Sequence, residues 1–287
     1  MPSNYAHYSF GKQVYQKQPA FIKKIIHDHL DLYLIGLHGP DIFFYYHPLS
    51  THPINQMGNN MHDQSGLSFF GPACDLIRQQ KQTAKQHAML AYILGFLCHF
   101  SLDTCCHSYI EKKILTSHIS HTEIEAEFDR YLMVQEGYPP LKHRLTTHIR
   151  PTRKNTATIA SFFPMVSQQQ VSHSLITMIV CDHLLLAPHE WKRKLLYSGM
   201  KFFGKYESLH GMIINKSPNP HCKDSCMRLE KLMDSAIPLC LKLTENLMEH
   251  LNHYVPLDQE FLQTFGPDPD WESIPILSPK EEKTYEI

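Results

Sequence analysis

The sequence predicts an all-α protein, built as one compact multi-helix domain. Three observations carry that prediction. Apolar residues recur at helical spacing in several separate stretches, no stretch alternates apolar and polar residues as a half-buried strand would, and breaks such as Gly39-Pro40 and Gly137-Tyr138-Pro139-Pro140 separate the periodic runs. At 287 residues the chain is long enough for a sizeable core. The domain is expected over residues 1–265, with residues 266–287 as an appended tail.

In chain order, residues 1–11 are polar and aromatic, with His7 ahead of Phe10-Gly11. From Pro19 to Gly36, Ile22, Ile25, Ile26, His29, Leu30 and Tyr33 trace one helix face, opposite Lys23, Lys24, Asp28 and Asp31. Gly39-Pro40 then breaks the helix and presents Asp41 before the aromatic run Phe43 to Tyr46. The Pro-, Gly- and Asn-rich stretch 50–65 reads as a loop carrying His52 and His62. A second helix begins near Ala73, and the polar segment 78–90 leads into AYILGFLCHFSLDTCCHSYI, residues 91–110, apolar on every side and therefore enclosed by other helices.

After a charged connector, a helix starts near His121 and ends at Gly137. A basic, Thr-rich span to Asn155 reads as a loop, and residues 156–213 carry further helical patterns. From Asp224 to Tyr254 apolar residues at helical spacing make one long core helix, after a break at NKSPNPHC. The tail is Pro-rich and charged, which predicts an extended or partly disordered segment.

Composition narrows the function. A net charge of −1 gives no electrostatic case for nucleic acid or for an anionic membrane surface. The longest apolar run, 88–98, is too short to span a bilayer, and the N-terminus shows no secretory pattern. The eight cysteines are scattered and form no disulfide framework, so a soluble, reducing, cytoplasmic setting is expected. Histidine is the abnormal count, at 21 against 27 Lys plus Arg.

The chemistry concentrates on the buried helix. His99, Asp103 and His107 recur every fourth position and so project into one narrow stripe. Burying an ionised Asp without a partner costs several kcal/mol or more, and a carboxylate between two imidazoles is most readily satisfied by a cation. Downstream, His121-x3-Glu125 adds a second nitrogen and oxygen pair on one helix face. Such a donor set suits zinc, and five ligands exceed what one tetrahedral ion needs.

Four pieces, YAHYSFG, GLHGPDIFFYY, GFLCHFSLDTCCHSYI and HTEIEAEFD, give the first half of the chain a resemblance to the zinc-dependent phospholipase C family, whose fold is shared with the S1/P1 nucleases. The match is closer to its intracellular bacterial members. The resemblance implies a zinc cluster of two ions, or three, held by His7, Asp41, a loop histidine, His99, Asp103, His107, His121 and Glu125. His62 is the preferred loop histidine, with His47 and His52 as alternatives. It further implies that Asp103 bridges ions and that Asp41 binds one and orients or deprotonates the attacking water. The secreted relatives also use a processed N-terminal residue as ligand; here the third site would rest on His7 and Asp103.

Weaker candidates are outweighed by ordinary readings. His27-Asp28 lies on the polar side of its helix, Cys222-x3-Cys226 beside His221 offers too few zinc ligands, and adjacent residues in Cys181-Asp182-His183 point in different directions. His118 is a substitute for His121, His87 faces solvent, and Asp129 continues the His121-Glu125 row as a supporting residue or a surface carboxylate. The expected activity is zinc-dependent hydrolysis of a phosphate ester, with phospholipid the class that the resemblance implies. The alternatives are an S1/P1-like nuclease and a non-catalytic helical scaffold with structural zinc.

Overall fold

The computed structural model describes residues 4–287, and among them there are helices but no strand, only an isolated bridge between Ser65 and Thr264. The chain is an all-α single domain. Its first segment corrects the expectation. Helix α1 spans Asn4–Lys17, so the polar, aromatic stretch that carries His7 is helical, with Tyr5, Ala6, Phe10 and Val14 turned into the core. The Pro19–Gly36 run is two helices, α2 (Ala20–Asp28) and α3 (Leu30–Gly36), broken at His29.

A 3-10 segment, Gly39–Tyr45, then brings in Asp41. Stretch 50–65 is not a loop throughout: α4 runs Pro53–His62, started by Pro at its first position and by His52, whose Nδ1 accepts the Ile54 N–H at 3.2 Å. Helix α5 spans Gly66–Gln79.

The centre is α6, Thr83–Ser117, 35 residues long and thus about 50 Å from end to end. It absorbs both the polar lead-in and the charged connector. It is long and apolar enough to cross a membrane, but 94% of its apolar window is buried inside the protein. Around it pack α1, α2, α3 and α5, then α7 (His121–Gln135), α8 (Arg153–Ala160) and the long α12 (Lys223–His253). Helices α9 (Gln168–Leu185), α10 (Glu190–Phe202) and α11 (Tyr206–Leu209) fill the interval before α12. All eight cysteines are free.

Helices α3 and α6 cross with their backbones in contact. A Cβ on Gly95 would lie 2.1 Å from Tyr33 O, and one on Gly36 would lie 2.3 Å from Tyr92 O, so only glycine permits this approach. The chain leaving α3 is thereby laid against His99.

The tail carries a 3-10 turn, Trp271–Ser273, and a short helix, and it is anchored. Helix α13, Pro279–Glu282, packs on α12, and the fully buried Glu282 accepts two hydrogen bonds from Arg228, at 2.7 and 3.1 Å. A paired, hydrogen-bonded buried carboxylate of this kind holds a chain end in place, because separating it would leave a charge uncompensated.

Candidate metal centre

Helix α6 continues its row one step beyond the three residues read from the sequence. His99, Asp103, His107 and Glu111 stand at every fourth position, the first three buried and Glu111 at the mouth of a cleft of about 410 Å³. The other elements deliver their residues onto this row. From α1, His7 Nε2 lies 3.2 Å from Asp103 Oδ1; from α6 itself, His99 Nε2 lies 2.9 Å from Asp103 Oδ2. From the end of α4, His62 Nε2 approaches Asp103 Oδ2 at 3.8 Å and Asp41 Oδ1 at 3.0 Å. Asp41 Oδ2 lies 3.7 Å from His99 Nε2.

At the cleft mouth, His121 Nε2 is 3.1 Å from Glu125 Oε1 and its ring centroid 5.4 Å from that of His107. All eight residues proposed from the sequence are thus gathered into one site. His47 and His52 are placed elsewhere, around the ring of Tyr46. His118 takes the left-handed conformation that ends α6.

Three groups have ligand atoms all within 4.8 Å of one another: His7, Asp41 and His99; His62, His99 and Asp103; and His107, His121 and Glu125. Whether a metal suits them is decided by their hydrogen bonding. His99 Nε2, Asp41 Oδ1, His7 Nδ1 and Glu125 Oε2 are buried atoms with no hydrogen-bond partner, although the first two have an oppositely polar atom within 3.0 Å. The contacts are close but not aligned as hydrogen bonds. Each such orphan costs about 1–3 kcal/mol, and cations held among these side chains would satisfy His99 Nε2, Asp41 Oδ1 and Glu125 Oε2, while His7 faces Asp103 through its Nε2. Nitrogen and carboxylate donors without thiolate are a zinc-competent set.

The opposite ring nitrogens are held by backbone carbonyls. His62 Nδ1 meets Gly58 O at 2.9 Å, His99 Nδ1 meets Leu37 O at 3.3 Å, and His107 Nδ1 meets Phe265 O. Donation to those carbonyls fixes the ring orientation and aims each Nε2 at the site as the atom a metal would take.

Electrostatics agree with the geometry. Burial by itself would raise the pKa of Asp103, but His99, His107 and His7 hold it well below the usual carboxylate range. Burial opposes protonation of His62, yet Asp41 and Asp103 lift it to about 9; for His121, Glu125 and Glu111 outweigh burial and lift it to about 10.

Two features escaped sequence reasoning, and a third, Asp129, supports a different element from the one expected. Glu111, 3.7 Å from His121, was signalled by the four-residue period continuing past His107. Asp129 is buried and accepts the N–H groups of Tyr5 and Ala6, so it supports α1 rather than His121. The carbonyl of Phe265 and the wall residues Gly266 and Pro267 had no signal, since no side-chain type marks them. The weaker candidates do ordinary work: Asp28 pairs with Lys24, and Asp182 accepts from Leu145 N and Thr146 Oγ1.

Clustered, buried imidazole and carboxylate donors opening into a cleft are the arrangement that metal-assisted hydrolysis requires. Residues 6–176 match the family described as zinc dependent phospholipase C, a span that contains every one of the eight residues. The chain belongs to that family. No curated protein and no solved structure matches it.

Proposed function

We propose that this protein is a zinc-dependent phosphoric ester hydrolase of the phospholipase C type, acting on phospholipid. The observation that carries the reading is that Asp41 and Glu125, each with a buried carboxylate oxygen lacking a partner, line one open cleft together with His62, Asp103, His107 and His121: a structural zinc site would be closed by its fourth ligand, whereas this one faces about 410 Å³ of accessible space. The groups around Asp41–His62–His99–Asp103 and around His107–His121–Glu125 would each hold a zinc ion, and His7 with Asp103 would serve a third. Zinc at these positions would polarise the phosphoryl oxygens, acidify the attacking water and offset charge on the leaving oxygen.

The chain's own residues do the rest. Asp41, set between His62 and His99, orients the attacking water and takes its proton. The water oxygen bonds to phosphorus as the bond from phosphorus to the glycerol oxygen breaks, and the proton held by Asp41 passes to that oxygen, so that diacylglycerol leaves and the head group departs as a phosphomonoester. Phe44 gives the cleft an apolar wall.

The cleft residues outside the proposed ligand set sharpen the substrate class. Asp63 and Glu111 line the cleft, and among the described residues no Lys or Arg does. Two carboxylates repel a polyanion and favour a phosphodiester whose head group is a cation, so the nuclease reading loses ground. Metal analysis followed by assays on phosphatidylcholine, a bis-aryl phosphodiester and single-stranded DNA tests the reading. Zinc content with phosphatidylcholine hydrolysis is the expected result; a protein that neither purifies with zinc nor takes it up would overturn it.

A further inference from the structure

The net charge of −1 argued against an anionic surface as partner, but the charge is not spread evenly. Helix α10 turns Met200 inward onto a small satellite core with Ala187 and Ile213 and leaves its opposite face without a partner in the fold. On that face Trp191 is 67% exposed, Leu195 65% and Phe202 85%, with Phe203, the next residue after the helix, at 74%. Burying side chains of this size is favourable, so three of them left in water on one short helix and a fourth just past its end mark an interaction surface.

Between them stand exposed Lys194 and Lys201, and residues 191–206 contain no Asp or Glu, the next acid in the chain being Glu207. Glu190, just before them, is ion-paired with Lys216. Lysine interleaved with Trp and Phe at each turn decides the kind of partner. A protein interface depletes lysine from its apolar centre, whereas a helix lying in a lipid interface combines bulky apolar side chains with Lys that reaches the head groups.

We infer that the Trp191–Phe203 face docks on an anionic lipid surface. Its place in the fold suits that task. The unit that follows α10 presses Gly211 against α7, where an added Cβ would meet Thr122 Oγ1 at 2.6 Å, and Thr122 lines the metal-centre cleft. The docking face is therefore joined, through α11 and residues 210–212, to the segment that braces the cleft rim. Its use in catalysis rests on the phospholipid reading above; its binding to lipid does not.

The chain carries two tryptophans, Trp191 and Trp271, so Trp271→Phe leaves Trp191 as the reporter. The full-length Trp271→Phe protein is mixed with phosphatidylcholine vesicles with or without phosphatidylserine, and Trp191 emission and co-sedimentation are read. The face predicts a blue shift and pelleting with the serine-containing vesicles, and at least about tenfold weaker partitioning onto phosphatidylcholine alone, since each Lys near an anionic surface contributes about 1 kcal/mol. Adding Phe202→Ser and Phe203→Ser should cut partitioning by about tenfold or more while the melting temperature and zinc content hold. Lys194→Glu with Lys201→Glu should abolish the preference for phosphatidylserine.

Absence of vesicle binding, or equal binding by the Phe202→Ser/Phe203→Ser variant, would overturn the inference. So would a concentration-dependent dimer, seen without lipid and dissolved by those substitutions, because the face would then be a self-association surface. The two readings fail separately. A protein that binds vesicles but hydrolyses no phospholipid keeps the face and loses the substrate, and one that hydrolyses dispersed phospholipid without binding vesicles does the reverse.

Discussion

Asp129 on α7 holds Ala6 on α1: its Oδ1 accepts the Ala6 N–H at 2.8 Å, and its Oδ2 accepts that of Tyr5 at 3.0 Å. These are N–H groups in the first turn of α1, which have no partner within the helix, and His7 is the next residue. A carboxylate at a helix start is favoured by both hydrogen bonding and the helix dipole. Asp129→Ala is expected to lower stability by about 1–2 kcal/mol, read by denaturant unfolding. It should also weaken zinc binding about 10- to 100-fold, the usual effect of losing a residue that orients a ligand. Asp129→Asn should recover part of both, because its amide oxygen still accepts one N–H. An unchanged zinc affinity in the Ala variant would show that His7 needs no such bracing.

Asp103 is contacted by four histidines, His7, His62, His99 and His107, all within 4.0 Å. Replacing it by Asn removes the charge at almost constant volume. Zinc per chain should fall and ester hydrolysis drop by more than about a hundredfold, beyond what loss of a supporting residue costs. In the metal-free protein the same change should destabilise, since the histidines lose the anion they face. Full zinc occupancy in Asp103→Asn would remove it from the bridging role.

How far the sequence foretold these relationships follows from the range of the interactions. The row on α6 was legible because a period of four is local geometry, and so was the pairing of His121 with Glu125. The helical state of 4–17 was not, because its buried face is made of Tyr5, Ala6, Phe10 and Val14 against α6, α7 and α12, and its first turn is capped by a residue 123 positions away. Tertiary contacts there outweigh a weak local pattern. Helix α4 was hidden for a different reason: Pro53 and the Asn and Gly residues after it read as turn formers, while the Pro sits where a helix tolerates it. Asn55, which donates to the carbonyls of Phe43, Phe44 and Tyr46, ties that helix to the segment of Asp41 through side-chain chemistry that no spacing reveals.

The metal-free and zinc-loaded proteins should respond oppositely to pH. His62 and His121 have folded-state pKa values raised to about 9 and about 10, so without metal each carries a proton at pH 7. Stability from such a raised pKa is complete below the unfolded value of about 6.5 and is lost as pH rises through the folded value. The chelated protein should therefore lose melting temperature between about pH 7 and pH 10, within the window those values set. Zinc must displace both protons, so loading at pH 7 should release about two per chain, with affinity rising as pH rises. Calorimetric titration of zinc in buffers of different ionisation enthalpy counts the protons, and a count near zero would mean that the imidazoles are neutral in the empty site.

Gly39 tests whether the site depends on backbone as much as on ligands. Its φ of +49° lies in the left-handed region, and a Cβ there would fall 2.2 Å from His99 Cδ2. The His99 ring is fully buried beneath it and cannot retreat, with Leu37 O on one ring nitrogen and Asp103 close to the other. Gly39→Ala must therefore either push the ring off its axis or shift the segment that carries Asp41, two residues on. Strain of this kind costs about 1–3 kcal/mol, and displacement of a ligand by even a fraction of an ångström weakens a metal site further. The expected outcome is a modest fall in melting temperature in the chelated protein and a larger one in the zinc-loaded protein, because metal binding no longer adds its full share. Equal falls in the two forms would place the cost in the backbone alone and leave His99 unaffected.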